Sequence, residues 1–381
     1  GGGLAIVGPA RADLGSGGYE GLPAVYFNNA GNGGGVAVTD VGSGEPVLRV
    51  FAKDSAHPTA IDSNTATTSG GGIFMSGHAD TCLFALHMAD NIAENGAAIY
   101  YDAQLPGTAQ YATDSGIYIN GGSPSRLGAD CGPELVSDLG GSKDCRAYDP
   151  LCNTFLANAT QHADATPAPG GVVTMQGGEI VANRFRVRNS VAGYAMYLVG
   201  SGAVSVSRCE LTDNLASTNL VVGSGQLPSF HSCTIANNSI GNLFVFDFGF
   251  AVSVDLAYDI VDQPGKDTLY WGKHYGGSLS VDYVLTNSLA GLPQNDPSDI
   301  QGLPTFVDAA NGDYHLAPVA QVALDFGGGA GTTDLDGNLP FADLPTIPNY
   351  LGPADLGAYE RQNLFYDCGS RDSVFCDGFG H

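Results

Sequence analysis

Residues 181 to 254 repeat a common pattern every 24 residues. Five sets of residues one repeat apart are wholly apolar, although apolar residues make up only 43% of the chain. This agreement indicates a structural repeat, and its period is close to one circuit of a parallel β-helix. The five columns are Phe185, Cys209 and Cys233; Val187, Leu211 and Ile235; Met196, Leu220 and Phe244; Leu198, Val222 and Phe246; and Val206, Phe230 and Val254.

Polar residues keep the same period. Two adjacent columns consist of Asn189, Asp213 and Asn237 and of Ser190, Asn214 and Asn238. They predict a stacked turn in which Asn side chains bond the backbone and tolerate left-handed geometry. Apolar residues alternate with period two at 185/187, 196/198 and 204/206, as in half-buried strands. We therefore predict three short strands per circuit, with circuits stacked about 4.8 Å apart. An antiparallel sandwich with coincidental spacing is the alternative.

The charge of the chain limits its partners. Lys and Arg number 14 against 39 Asp and Glu, and the formal net charge is −25. We expect no binding to nucleic acid or to an anionic membrane, because both would need a basic surface. No apolar run approaches the roughly 18 residues of a membrane-spanning helix, so we expect no membrane span. The chain begins at Gly1, as a mature protein does after signal-peptide removal, although a shortened chain would begin in the same way. We expect an extracellular or cell-surface location.

Eight cysteines without a CxxC pair favour disulfides in an oxidising compartment over zinc or thioredoxin chemistry. Cys209 and Cys233 are one repeat apart, so they should lie on adjacent circuits within disulfide reach. Two reduced cysteines in the core are the alternative. Cys368 and Cys376 are predicted to close a small loop near the end of the chain. The remaining four allow three pairings that the sequence does not distinguish: Cys82, Cys131, Cys145 and Cys152.

Three short sequences occur in a fixed order late in the chain. They are LPTFVDAANGDYHL at 303–316, DLDGN at 334–338 and DLGAYE at 355–360. Together they resemble the choice-of-anchor Q domain of secreted bacterial right-handed β-helix proteins. The stretch AQVALDFGG keeps Asp325 and Gly327 of that family's SPAIDAG-like sequence but lacks its Ser-Pro, and VFCDGFG at 374–380 is similar to the ending of some exported bacterial proteins. The resemblance implies fold and compartment rather than activity, because this architecture carries enzymes, adhesins and fibre proteins alike.

The predicted fold is an all-β, right-handed parallel β-helix, or solenoid, with an irregular disulfide-braced insertion and a C-terminal cap. The solenoid should span residues 1–300, with less regular circuits before residue 100. The insertion should cover about 102–170, where the rhythm fails, and it is either a binding surface or a flap that covers core. A choice-of-anchor Q-like cap at 301–362 and a Cys-containing tail at 363–381 should follow.

Four arginines in the repeat region should share one outward face. Arg184 and Arg208 are one repeat apart, as are Arg186 and Glu210, and Arg188 lies beside them. They could hold an anionic sugar through bidentate contacts with its carboxylate. The alternative is a solvated ladder in which Arg186 pairs with Glu210 across circuits.

Aromatic rings gather in one short segment that holds the only Trp: Tyr270, Trp271, His274 and Tyr275. Aromatic faces stack on sugars and on apolar partners, so we predict a carbohydrate or adhesive contact here if the segment is exposed. Packing against the terminal domain is the alternative.

Asp334, Asp336 and Asn338 have the alternate-oxygen spacing of calcium loops. Their Gly comes fourth rather than sixth, and no Glu follows at the twelfth position. The predicted protein therefore requires no cofactor, while calcium is compatible with this loop; a tight acidic turn is the alternative.

The chain lacks the catalytic sequences of polygalacturonase-like and pectate-lyase-like β-helix enzymes, and it has no GxSxG or HExxH. We predict a secreted structural or adhesive surface protein without catalysis. It would self-associate, into filaments through its solenoid ends, or contact extracellular polysaccharide. The alternative is a polysaccharide lyase or glycoside hydrolase that acts on an anionic polysaccharide held by the four arginines.

Overall fold

The computed structural model is an all-β chain with almost no helix. The residues that it describes are 2–15, 24–42, 44–51, 59–120, 153–245, 254–263, 265, 269–270, 279–290, 292, 298–319, 322–327, 333–344 and 347–362. In chain order its strands are β1 (Leu4–Val7), β2 (Arg11–Gly15), β3 (Ala24–Tyr26), β4 (Asn29–Asn32), β5 (Val36–Thr39), β6 (Val47–Phe51), β7 (Thr59–Asp62), β8 (Thr65–Ser69), β9 (Ile73–Ser76), β10 (Asp80–Leu83), β11 (Leu86–Ala89), β12 (Ile92–Ala93), β13 (Ile99–Asp102), β14 (Gly116–Ile119), β15 (Thr154–Leu156), β16 (Ala159–Thr160), β17 (Gly171–Gln176), β18 (Glu179–Arg188), β19 (Val191–Ala192), β20 (Tyr194–Thr212), β21 (Leu215–His231), β22 (Thr234–Ala236), β23 (Ser239–Val245), β24 (Val254–Ala257), β25 (Ile260–Asp262), β26 (Leu269–Tyr270), β27 (Leu279–Asp282), β28 (Leu285–Thr286), β29 (Ile300–Gln301), β30 (Phe306–Asp308) and β31 (Asp313–Leu316). A short 3₁₀ helix, η1 (Ala309–Asn311), joins the last two.

The strands stack in four parallel ladders, which together form one sheet. The first ladder runs through β1, β5, β9, β13, β17, β20, β21, β23 and β26, and the second through β2, β6, β10, β14, β18, β20, β21, β24 and β27. The third runs through β3, β7, β11, β15, β18, β20, β22, β25, β28 and β29, and the fourth, which is short, through β4, β8, β12, β16, β19, β21 and β23. Each strand thus pairs with its equivalent one circuit later, an arrangement consistent with a β-solenoid. A circuit, called a rung below, has four paired segments as far as β23 rather than the predicted three, and three in the described circuits beyond it.

Alternation along the strands builds the interior. In β9, Ile73 and Met75 are fully buried, whereas Phe74 and Ser76 are partly exposed. The inward residues of all rungs form one continuous apolar core from Ile6 to Leu292. Its largest fully buried side chains include Tyr101, Phe155, Phe185 and Phe230.

The less regular rungs before residue 100 are present, as predicted. Val36 pairs with Ile73, and Ile73 pairs with Ile99. The glycines before these strands allow the rungs to stack closely. A Cβ atom at Gly34 would lie 2.5 Å from the carbonyl oxygen of Gly71, so a larger residue would push the rungs apart.

The predicted stacked Asn turn is confirmed. Side chains, most of them Asn, form a ladder in which a side-chain oxygen accepts a bond from the backbone N–H of the previous rung, as Asn238 Oδ1 does from Asn214 at 3.0 Å. The Asn214 amide donates in turn to the Val187 carbonyl at 2.8 Å. The ladder consists of Asn28, Asn64, Asn91, Asn158, Ser190, Asn214, Asn238, Gln263 and Asn287. The residues before it that have a positive φ are Phe27, Ser63, Asp90, Ala157, Asn189, Asp213 and Asn237. The ladder satisfies backbone groups that the turn would otherwise bury without partners.

The predicted disulfide between adjacent rungs is also present. Cys209 and Cys233 are joined, with Cα atoms 4.5 Å apart, so the reduced alternative is wrong. Cys82 is disulfide-bonded as well. The cysteines that lie outside the described residues are Cys131, Cys145, Cys152, Cys368 and Cys376.

Three of the five predicted columns are out of register by one or two residues. Met196 pairs with Val221 rather than Leu220, Leu198 with Gly223 rather than Val222, and Phe230 with Leu256 rather than Val254. Register shifts within the β20–β21 and β21–β23 pairs make successive rungs unequal in length. A constant 24-residue period averages over these irregularities.

The predicted insertion at 102–170 is narrower than expected, because β14, β15 and β16 lie within that range and stack on β10, β11 and β12. Residues 121–152 lie outside the described residues. No helix of the described residues is long and apolar enough to cross a membrane.

The described residues between 303 and 362, called the C-terminal layer below, pack on the outer face of the third ladder. There β30 and β31 form an antiparallel hairpin. Ile260 and Leu285, which follow each other on the third ladder, share an apolar cluster with Leu316, Phe326 and Leu356 of the layer. The layer therefore covers one side of the stack of rungs.

Candidate functional site

The arginine column predicted from the repeat lies under the C-terminal layer. Arg186 and Arg188 point outward from β18 in the third ladder, while Arg184 and Arg208 occupy the left-handed turn that precedes this ladder, with φ of 57° and 48°. Arg184, Arg186 and Arg208 are only 5%, 4% and 8% exposed, and the side chain of Arg188 is 15% exposed. The alternative is correct in its pairing, because Arg186 Nε lies 4.0 Å from Glu210 Oε2 on the next rung, but its solvated part is wrong, because the layer covers the arginines. Sugar binding by the four arginines stays a prediction.

Arg186 is the centre of a buried polar network. Its Nη2 lies 2.7 Å from Asp336 Oδ1, and its Nε donates to the Tyr359 hydroxyl at 3.3 Å. Its guanidinium carbon also lies 5.9 Å from the centre of the Tyr359 ring. Burial alone would lower the pKa of Arg186, but the oxygens of Tyr359, Asp336 and Glu210 raise it overall. The guanidinium is therefore a permanent charge that the layer must neutralise.

Glu210 joins the network from the next rung. Arg188 Nε lies 3.0 Å from its Oε1, which also accepts a bond from Thr212 Oγ1 at 2.7 Å. Tyr359 donates its hydroxyl hydrogen to Glu210 Oε2, and Arg188 donates to the Gly312 carbonyl. Burial raises the pKa of Tyr359 well above its usual value, so the phenol remains a donor at every ordinary pH.

The other two arginines contact the layer near its DLDGN sequence. Arg184 Nε donates to the Leu335 carbonyl at 3.4 Å. Arg208 lines a small cavity beside Asp334 and Glu360. Burial and the charge of Arg184 lower the pKa of Arg208, while Asp334 partly compensates.

His315 holds the outer edge of the network. Its Nδ1 lies 2.6 Å from Asp313 Oδ1, and its Nε2 lies 2.6 Å from Asp336 Oδ2. Burial opposes protonation, but the two carboxylates raise the pKa of His315 to about 9. Burial would raise the pKa of Asp336, yet His315 and Arg186 lower it. At neutral pH the Asp336 carboxylate thus bridges two cations, one from the rungs and one from the layer.

Two open cavities flank the His315 side chain. The first, of about 240 Å³, is lined by Arg186, Arg188, Gly312, Asp313, Tyr314, His315, Asp336 and Tyr359. The second, of about 250 Å³, is lined by Val307, Asp313, His315, Leu316, Tyr359, Glu360, Arg361 and Gln362. Each is large enough to admit a small polar group at the edge of the network.

Asp334, Asp336 and Asn338 form a tight turn. Asp334 Oδ1 accepts a bond from the Asn338 N–H at 2.7 Å, and its Oδ2 accepts one from the Glu360 N–H at 3.0 Å. Asp336 is occupied by Arg186 and His315. The described part of the chain contains no group of three or more His, Cys, Asp or Glu that could hold a metal ion. Calcium binding by this loop stays a prediction.

Further buried carboxyl groups fasten the loops of the layer to one another. Asp355 accepts bonds from the N–H groups of Asp325 and Arg361, at 2.8 and 2.7 Å. Glu360 accepts them from Ala342 and Asp355, at 2.7 and 2.9 Å. Burial raises the pKa of Asp355 to about 7 and that of Glu360 to about 9, and it raises that of Asp334 to about 6. Protonation therefore favours the closed layer.

The predicted aromatic contact is described only in part. Tyr270 ends β26, at the C-terminal end of the first ladder. Trp271, His274 and Tyr275 lie outside the described residues. The role of this segment stays a prediction.

No protein-family model, curated protein or solved structure matches this chain. The sequence pointed to the arginines and to Asp336 but missed His315 and Tyr359. Both lie in the short sequences GDYHL and DLGAYE that carry the family resemblance. Those sequences were the available signal, because neither residue belongs to a periodic column.

Proposed function

We propose that the chain is a secreted, non-catalytic structural or adhesive protein of an extracellular surface, built on a right-handed parallel β-helix. The observation that carries the proposal is that the arginine column of an acidic chain is covered. Arg184, Arg186, Arg188 and Arg208 lie beneath the C-terminal layer, where Arg186 and Arg188 are held in ion pairs. This burial favours a rigid protein over an enzyme with a basic substrate groove. Right-handedness is supported by the strong preference for right-handed crossovers between parallel strands.

Self-association through the first rung is part of this proposal. Within the described residues, β1 to β4 each pair on one side only, with β5 to β8. Open strand edges pair readily with another chain. Apolar side chains lie on the same rung, with Val7 52% and Phe27 83% exposed. A head-to-tail contact that stacks this edge on the last rung of another copy would repeat along the stacking direction of the rungs and produce filaments.

Negative-stain imaging and sedimentation at high protein concentration test this assembly. We expect filaments for the unmodified chain and monomers for the double variant Val7→Lys with Phe27→Lys, since charge blocks edge pairing. The matched control, Tyr350→Lys with Leu351→Lys, changes two exposed residues of the C-terminal layer and should still assemble. Monomers of the unmodified chain at all concentrations, with and without calcium, would remove the filament proposal.

A polysaccharide lyase or glycoside hydrolase is the second candidate. It is favoured by the two cavities that meet at His315 and Tyr359, where Arg186 and Arg188 could face a uronate carboxylate. Incubation with polygalacturonate and alginate, assayed for new unsaturated or reducing ends, tests it. Activity that His315→Gln abolishes in a folded protein would favour the enzyme. Absence of product from these substrates would leave the structural proposal in place.

A further inference from the structure

A stripe of aromatic side chains follows the outer face of the first ladder. Phe74 pairs in register with Tyr100, Tyr100 with Thr174, and Thr174 with Tyr197. The alternation of the strands points these side chains away from the core, and the three aromatic ones are partly exposed. We call Phe74, Tyr100 and Tyr197, with the neighbouring Tyr111 and Tyr194, the aromatic stripe.

The rings of the stripe are held in place by one another. The Phe74 and Tyr100 rings are stacked, with centroids 5.8 Å apart and planes 6° from parallel. The Tyr194 and Tyr197 ring centroids are 5.2 Å apart. Tyr111 is 44% exposed, and its ring lies against Gly177, where a Cβ atom would be 2.4 Å from Tyr111 Cδ1. Such a preformed surface loses little conformational entropy when a ligand binds.

The spacing of the stripe suits an extended ligand. Adjacent rungs are about 4.8 Å apart, so Tyr100 and Tyr197, two rungs apart, are separated by about 10 Å along the stack. Thr174 lies between them in register and is only 4% exposed, so this rung adds no ring to the stripe. An extended polymer that lies along the stack could therefore contact the Phe74 and Tyr100 rings on adjacent rungs and the Tyr197 ring two rungs further on.

The chemistry of the stripe selects carbohydrate. Aromatic faces pack against the C–H faces of sugar rings. A polar column lies beside the rings, two residues further along each strand, and consists of Ser76, Asp102 and Gln176. Its side chains offer hydrogen-bonding groups to the hydroxyls of a sugar. The aromatic stripe and this polar column contain no Lys or Arg, and the chain carries a net charge of −25. These charges repel an anionic polymer and leave an uncharged one as the suitable ligand.

We propose that the aromatic stripe binds an uncharged polysaccharide that lies along the stacking direction of the rungs. This inference rests on the adhesive function proposed above and specifies its ligand class. It concerns a different face of the molecule from the arginine network, and it does not require assembly into filaments.

Affinity electrophoresis tests the proposal, with gels that contain hydroxyethylcellulose, xyloglucan, galactomannan or, as the anionic comparison, polygalacturonate. We expect at least one of the three neutral polymers to retard the unmodified protein. The double variant Tyr100→Ala with Tyr197→Ala should bind at least tenfold more weakly, while Tyr100→Trp should retain binding. The matched control is Tyr350→Ala, which removes a 67% exposed ring of the C-terminal layer and should leave the retardation unchanged.

Three results would overturn the proposal: retardation by polygalacturonate alone, retardation by no neutral polymer, or equal retardation of the double variant and the unmodified protein. If the double variant does not fold, as judged by its circular dichroism, the single variants Tyr111→Ala and Tyr197→Ala carry the same expectation. If the protein forms filaments but binds none of the polymers, the proposed ligand is wrong and the proposed assembly stands. If it stays monomeric but binds a neutral polymer through the stripe, the proposed assembly is wrong and the proposed ligand stands.

Discussion

The outer faces of the third and first ladders differ although the same rungs build both. On the third ladder, Arg186 and Glu210 are buried in ion pairs under the C-terminal layer. On the first ladder, Phe74 and Tyr100 are partly exposed. The repeat therefore determines which residues point outward, but a later part of the chain determines which of them reach water. A charged face is covered and an aromatic face is left accessible, the opposite of what hydrophobicity alone would suggest.

The largest effect is expected on the covered face, where the C-terminal layer packs on the third ladder. Asp336→Ala leaves Arg186 and His315 without their shared carboxylate in a buried site, so we expect the free energy of unfolding of the layer to fall by about 3–5 kcal/mol. Limited proteolysis at increasing denaturant concentrations should show cleavage within 303–362 before the rungs unfold. The exposed Asp308→Ala is the control and should behave like the unmodified chain. One concerted transition at the original midpoint would contradict the role of Asp336.

A smaller loss of stability is expected when the Asn ladder, which belongs to the rungs that build both faces, is changed. Asn214→Ala removes bonds to the Val187 carbonyl and the Ser190 N–H inside the Asn ladder. Because buried backbone groups lose their partners, we expect a loss of about 1–3 kcal/mol in the free energy of unfolding. Chemical denaturation measures it. Asn237→Gly, which removes an exposed side-chain bond to Asp213 and keeps a residue that tolerates the positive φ, should cost less, and equal losses would argue against the ladder.

The covered face should also respond to pH, by a few degrees in the midpoint of its thermal opening. The pKa of His315 is raised from 6.5 to about 9, so its stabilising effect is complete below pH 6.5 and is lost as pH rises through 9. Glu360, with a pKa raised to about 9, acts in the same direction, because the folded layer favours its protonated form. Asp336, whose pKa is lowered, weakens the layer only in acid below its usual titration range.

Thermal scans from pH 6 to 9.5 check this dependence, with proteolysis of 303–362 as the readout. The midpoint should fall as pH rises, and His315→Gln should show a flatter profile. A midpoint that rises across this range would contradict the protonated state assigned to His315.

The smallest effect is expected on the exposed face. Tyr197→Ala removes a partly exposed ring that contacts the Tyr194 ring, so the free energy of unfolding should change by about 0.5 kcal/mol. Chemical denaturation measures this, alongside the loss of polysaccharide binding expected for the same residue. A loss as large as that of Asp336→Ala would mean that the stripe stabilises the rungs rather than meeting a ligand.

Periodicity explains which features were predictable. The inward columns, the Asn turn and the Cys209–Cys233 disulfide all repeat at one-rung spacing, so their neighbours could be named from the sequence. The fixed period predicts Leu220 in place of Val221 because it does not register a rung of different length. Periodic contacts can be predicted from the sequence because equivalent contacts recur on several rungs.

The covered face was not predictable in the same way. Arg186 and Asp336 are separated by 150 positions, and their contact occurs once in the molecule. No repeat or composition signal connects them, so the arginines looked like an exposed ladder. The carboxylate spacing at Asp334 and Asp336 suggested calcium for a similar reason, because their protein partners lie elsewhere in the chain. Single long-range contacts of this kind need the folded structure.

Hydrogen exchange read by mass spectrometry is the most direct test of whether the buried charges attach the C-terminal layer to otherwise independent rungs. The unmodified chain would be compared with Asp336→Ala under native conditions. Faster exchange confined to peptides from 303–316, 334–344 and 355–360, with unchanged protection of the rung peptides from 181–212, is the predicted result. Unchanged exchange in the layer, or equally faster exchange in layer and rungs, would contradict it.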